Sequence, residues 1–106
     1  MSNTEAIRAL NDQFRTRLLG GRVMMTCGIA GRMDSNEILK RVTEFDAFSS
    51  DNDPHGEHDF GSFDHGDDTI FWKIDYYDKE LQQGSSDPSD TTVTTRVLTI
   101  MLAREY

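Results

Sequence analysis

Apolar residues recur along this chain at two different periods, and they divide it into helices and strands. Ile7, Leu10, Phe14 and Leu18 fall on one face of a helix, with Arg8, Arg15 and Arg17 off that face. Ser2 with Glu5 three residues on forms a capping box ahead of them, and Gly20-Gly21 ends the run. Residues 22–30 are rich in Val, Met, Thr and Ile over a length that suits a strand, stopped by Gly28 and Gly31. Asp34 and Glu37 form a second capping box, opening a helix to about Phe48 with Ile38, Val42 and Phe45 as its stripe.

The period then changes to two. Residues 69–77 set Ile70, Trp72, Ile74 and Tyr76 against Phe71, Lys73, Asp75 and Tyr77, which predicts a strand with Trp72 and Tyr76 in the core. Residues 91–106, with five threonines beside Val93, Val97 and Ile100, favour a strand by propensity. Asp90 capping a helix with Val93, Val97 and Met101 inward remains open. Between these elements, residues 49–68 carry Asn52, Asp53, Pro54, Gly56, Gly61 and Gly66 and read as one long loop of the kind that tends to be functional. The pattern predicts one α+β domain over residues 1–106: two helices on a small, mainly antiparallel sheet of about three strands, with a long acidic loop at 49–68. Trp72, Ile74, Leu98 and Ile100 are its expected core, joined by Phe14 and Phe45.

Charge sharpens this picture. Residues 42–72 hold no Lys or Arg, all three histidines and nine carboxylates, more than enough for the net −8 of the whole chain. A block of this sign repels nucleic acid and attracts basic partners. The basic side chains of residues 1–41, Arg8, Arg15, Arg17, Arg22, Arg32, Lys40 and Arg41, read as solvated helix faces. Phe60 and Phe63 are expected to anchor the acidic stretch to the body and so hold its carboxylates in place. Cys27, the single cysteine, reads as a small buried thiol among Met24, Met25 and Ile29. There is no signal peptide and no apolar run near 18 residues, so the cytoplasm is the expected location.

No motif fixes a reaction. Asp51, Asp53 and Gly56 have calcium-loop spacing, but Pro54, His55 and Ser62 stand where such a loop needs other residues. His55, His58 and His65 beside Glu57 and Asp59 suit a transition metal by chemistry, yet their spacing matches no established site, and no metal or cofactor is expected. In extended backbone Glu57 and Asp59 share one face while His58 points away. No nucleophile elbow or phosphate-binding glycine loop is present.

Three runs carry a resemblance. Asn52-Asp53-Pro54 through Gly56-Glu57-His58-Asp59-Phe60-Gly61, then Ile70-Phe71-Trp72-Lys73-Ile74-Asp75-Tyr76-Tyr77-Asp78, then Thr95-Arg96-Val97-Leu98-Thr99-Ile100-Met101-Leu102-Ala103 resemble the domain of unknown function 3768 family. The resemblance extends to Ile7-Arg8-Ala9-Leu10-Asn11-Asp12 and Gly21-Arg22-Val23 and covers nearly the whole chain. It implies a small alphaproteobacterial protein, often plasmid-borne and encoded near anti-restriction genes, and hence a role in defending mobile DNA. It implies no reaction.

These readings converge on a non-enzymatic inhibitor of anti-CRISPR or anti-restriction type, a nucleic-acid mimic acting by charge. Its expected partner is a protein with a basic surface in a host defence complex, with no direct nucleic-acid or membrane binding. The expected contact residues are Asp51, Asp53, Glu57, His58, Asp59, Asp64, Asp67 and Asp68. Two alternatives stand beside it: a small metal-dependent enzyme using Glu57, His58 and Asp59, and an acidic accessory domain whose charge serves solubility alone.

Overall fold

Trp72 is completely buried, and the sheet is organised around it. The computed structural model describes residues 3–106, so the capping role expected of Ser2 lies outside the described residues. Helix α1 (Asn3–Arg17) leads into strand β1 (Gly21–Met25), the short helix α2 (Cys27–Ala30) and helix α3 (Ser35–Glu44). Strands β2 (Phe60–His65), β3 (Asp68–Tyr77) and β4 (Thr95–Leu102) follow, closed by a 3-10 turn over Ala103–Glu105. The fold is α+β, as the sequence predicts. The sheet has four strands in the order β1-β4-β3-β2 and is mixed: β1 runs parallel to β4, and the other two pairs are antiparallel.

Alternation in β3 and β4 decides which face is buried. Ile70, Trp72 and Ile74 join Leu98, Ile100 and Leu102 on one side, where Phe14, Ile29, Ile38 and Val42 of the helices cover them. The expected core is present, with Phe45 packed at its margin. Phe45 meets Trp72 edge to face at 5.5 Å, a favourable arrangement for two aromatic rings. The choice left open for residues 91–106 resolves as strand, because β4 is central and β-branched side chains pack well between two neighbours.

Several expectations fail for local reasons. The strand expected over 22–30 ends at Met25; Thr26 turns the chain, and α2 inserts Ile29 into the core while Cys27 faces solvent. The thiol is therefore exposed, not buried. Asp34 does not cap α3 with its side chain, because Arg32 grips both carboxylate oxygens at 2.7 and 2.9 Å. Helix α1 buries Asn11 and Arg15 beside Ile7 and Phe14, so its inner face is rotated from the apolar stripe, and Arg15 is no solvated residue.

The largest correction concerns residues 49–68. Only the part up to Asp59 is irregular; β2 and its turn to β3 form a hairpin. The strand hides because its inward positions are Gly61, Phe63 and His65, which carry no hydrophobic alternation. Gly61 lies opposite Trp72, and a Cβ there would collide with the indole, so only glycine lets the strand pair at this point. Gly66, at φ 62°, opens a two-residue turn that suits a hairpin.

Candidate protein-binding site

Residues 45–59 are irregular, yet they are bolted to α1 by a polar network. Asn11 is fully buried; its Nδ2 donates to the Glu57 carbonyl at 3.0 Å and to Tyr76 Oη at 2.8 Å. Its Oδ1 accepts from Arg96 Nε at 2.7 Å, and Tyr76 Oη donates to the Glu57 carboxylate at 2.7 Å. Burial and the Glu57 hydrogen bond raise the Tyr76 phenol well above its ordinary value, so it remains a donor. One turn away, Arg8 Nη1 donates to the Gly56 carbonyl at 3.1 Å.

His58 closes the lock. Its ring stacks on Phe48 with centroids 3.7 Å apart, and Nδ1 lies 2.9 Å from Asp12 Oδ1. Asp53, itself nearly buried, accepts the His58 backbone N–H at 3.1 Å and stands 3.6 Å from Nε2. The backbone of His58 has φ 54°, a left-handed conformation that a non-glycine residue adopts at a cost and only when its surroundings impose it. Beneath Phe48, Arg15 lies 5.4 Å from that ring and 5.0 Å from Trp72, and donates to the Val42 carbonyl at 2.8 Å. Its burial lowers the Arg15 pKa, opposed by the nearby Asp12 charge.

The eight expected contact residues therefore divide. Asp53, Glu57 and His58 hold the loop against the body and are not free to meet a partner. Asp68 is occupied by Arg32 at 2.6 Å and Arg104 at 3.4 Å, and the Arg32 hydrogen bond holds its carboxyl below the usual range. Asp51 and Asp67 are exposed and make no hydrogen bond or ion pair among the described residues; Asp64 is exposed, its carboxylate accepting the Thr69 hydroxyl and its backbone carbonyl the Arg41 guanidinium. Asp59 is half-buried, and burial followed by the Glu57 charge raises its pKa. It lines a cleft of about 450 Å³ with Asp51, His55, Phe60, Lys73 and Tyr106.

Two carboxylates join this set from outside the expected list. Glu44 and Asp46, both exposed, line a second cleft with Arg41, Ser62 and Phe63 beside β2. Strand β2 is an edge of the sheet. Asp51 and Asp59 stand at its start, Asp64 and Asp67 at its tip, and Glu44 and Asp46 on its helix side. Phe60 and Phe63 anchor it as expected: Phe60 against Phe71 at 5.2 Å, Phe63 beneath the Arg41 guanidinium at 4.4 Å.

Glu57, His58 and Asp59 do not converge. The first turns to Tyr76, the second to Asp12 and Phe48, and the third to the Lys73 cleft. The positive φ at His58 replaces the extended geometry expected there. Sequence reasoning missed Asn11, Asp12, Arg15, Phe48, Tyr76 and Arg96 as the loop's supports. The one available signal was two polar residues, Asn11 and Arg15, spaced four apart beside the apolar stripe of a helix.

Among the described residues no helix is long and apolar enough to cross a membrane. No curated protein and no solved structure matches this chain. Residues 3–105 do match one protein family, described as Protein of unknown function (DUF3768), as the runs around Asp53, Trp72 and Val97 imply. The chain belongs to the DUF3768 family.

Proposed function

We propose that this protein is a non-enzymatic interaction protein of anti-defence type. It occupies a basic, nucleic-acid-binding surface of a host defence complex with the acid-rimmed edge strand β2. The observation that carries this reading is the division of the carboxylates. Asp53, Glu57 and Asp68 are consumed in holding the segment rigid, whereas the carboxylates of Glu44, Asp46, Asp51, Asp59, Asp64 and Asp67 lie around β2 and make no ion pair among the described residues, with Arg41 bound instead to the Asp64 carbonyl. Six residues of strand extend about 20 Å. Asp59, Asp64 and Asp67 follow that length, and Glu44, Asp46 and Asp51 widen the acidic surface beside it. A rigid array gives steered, salt-sensitive association with a cationic groove without a reaction.

The test is protection of incoming plasmid DNA in a host carrying restriction and CRISPR systems, with affinity measured on the defence complex that co-purifies. The triple variant Asp51→Lys, Asp64→Lys, Asp67→Lys is expected to lose protection and binding while keeping its melting temperature. Wild-type binding is expected to weaken steeply between 50 and 300 mM salt, conditions chosen around a Debye length of about 10 Å, and to compete with DNA or guide RNA. Full protection by the triple variant would leave the acidic rim as a solubility feature.

A further inference from the structure

The face of the sheet opposite the helix-covered core carries a groove of about 490 Å³ over strand β4. Its floor is Val97 and Thr99. Strand register sets two rows across it: Arg22, Val97 and Asp75 in one, Met24, Thr99 and Lys73 in the next. Leu81 and Tyr77 bound one end. Met24 is 56% exposed, and Leu81 is held at the rim with φ 59°, a left-handed backbone that costs free energy while presenting an apolar side chain to water. Arg22 makes no ion pair among the described residues, whereas Asp75 has Lys73 at 2.9 Å and is still more than a third exposed.

We propose that this face is a homodimer interface with its two-fold axis lying along β4. Neighbouring strands are about 4.8 Å apart, so Arg22 and Asp75 flank Val97 at nearly equal distances on opposite sides. Rotation about an axis along β4 carries Arg22 of one copy over Asp75 of the other, and the reverse pair forms by symmetry. Packed sheets stand about 10 Å apart, a gap that an arginine and an aspartate bridge together. The alternative in-plane axis, across the strands, would stack Arg22 on Arg22 and Asp75 on Asp75. Charge therefore selects one arrangement, an isologous contact in which the two β4 strands run parallel. Met24 of each copy then covers the aliphatic stem of Lys73 of the other, and the Leu81 side chains of both copies close the same end of the shared groove.

Lys73 and Asp75 also line the cleft that holds Asp51 and Asp59, so the dimer abuts the start of β2 and leaves Asp64 and Asp67 free at its tip. Light scattering on the eluting protein and sedimentation equilibrium measure the mass. A dimer is expected for the wild type at tens of micromolar. Arg22→Asp and Asp75→Arg should each weaken association about tenfold or more, and the double exchange Arg22→Asp/Asp75→Arg should restore it. Circular dichroism of each variant verifies the fold. In a second measurement, Thr99→Cys in a Cys27→Ser background should be cross-linked to its symmetry mate by a short bismaleimide, because Thr99 lies on the axis. A wild type monomeric at 200 µM overturns the proposal. So does a dimer that neither single exchange weakens, or a double exchange no tighter than the singles.

Discussion

His58 lies flat on Phe48, with ring planes 3° apart and centroids at 3.7 Å. The contact joins the two ends of the irregular stretch that follows α3, so the intervening residues are closed into a loop. Asp12 and Asp53 fix the ring in its plane from two directions. Loop closure of this length costs conformational entropy, which the stack and the hydrogen bonds offset together.

Removing the stack should release the loop before it unfolds the protein. Phe48→Ala also exposes the edge of Trp72, which lies 6.1 Å from Phe48, and is expected to cost about 3 kcal/mol. His58→Ala retains the left-handed backbone without the contacts that impose it, and about 1–3 kcal/mol is expected. His58→Gly should cost less than His58→Ala, because glycine adopts that conformation freely. Hydrogen exchange should show residues 49–59 losing protection in all three variants while β3 and β4 keep theirs. Uniform loss across the sheet would contradict a local lock.

Asn11 is the junction of a second network, and its loss is expected to be larger than one hydrogen bond. Asn11→Ala leaves Arg96 Nε, Tyr76 Oη and the Glu57 carbonyl each short of a partner at a buried or half-buried position. A cost of about 2–4 kcal/mol follows from several buried polar groups left unsatisfied together. Asn11→Leu, which fills the volume, should rescue little of it. Urea denaturation of the two variants checks this: a near-wild-type midpoint for Asn11→Leu would show that packing alone matters there.

Acid should weaken the corner where α3 meets the hairpin. The Arg32 hydrogen bonds hold Asp34 down to about 2, with added attraction from His65, and hold Asp68 below its ordinary value. Both carboxylates are thus more acidic folded than unfolded. The stabilisation is complete above the ordinary carboxylate range and is lost as pH falls from about 5 toward 2. The melting temperature is expected to drop through that window, and Asp34→Asn should flatten the drop. A variant as acid-sensitive as the wild type would place the titrating group elsewhere.

The apolar pattern made most of the core legible. Trp72, Ile74, Leu98 and Ile100 alternate cleanly because β3 and β4 are long and central. What stayed hidden was short or polar. Strand β2 pairs through Gly61 and His65, whose suitability depends on Trp72 and Asp68 across the ladder, and a single sequence does not display cross-strand partners. Arg15 reads as solvated by spacing and is buried because Val42, Phe48 and Trp72 give it a carbonyl and two rings. The acidic block was visible as composition. Its division into paired and free carboxylates depends on Arg32 and Arg104, distant in sequence from Asp68.

Asp67 and Asp68 separate charge from fold within two adjacent residues. Asp67 is the exposed turn residue and makes no hydrogen bond or ion pair among the described residues, while Asp68 begins β3 and binds Arg32 and Arg104. Both lie in the acidic segment, and reversing either changes the net charge equally. Asp67→Lys is expected to keep the melting temperature and weaken partner binding about tenfold, the order expected for reversing an exposed interfacial charge. Asp68→Lys sets a third cation between Arg32 and Arg104 and should lower the melting temperature as well. Asp68→Asn, which keeps hydrogen-bond acceptance without the charge, should fall between them in stability. Equal loss of binding with equal loss of stability in the two lysine variants would mean that the hairpin tip acts through its shape. Loss of binding in Asp67→Lys with the fold intact assigns the effect to the unpaired carboxylates around β2.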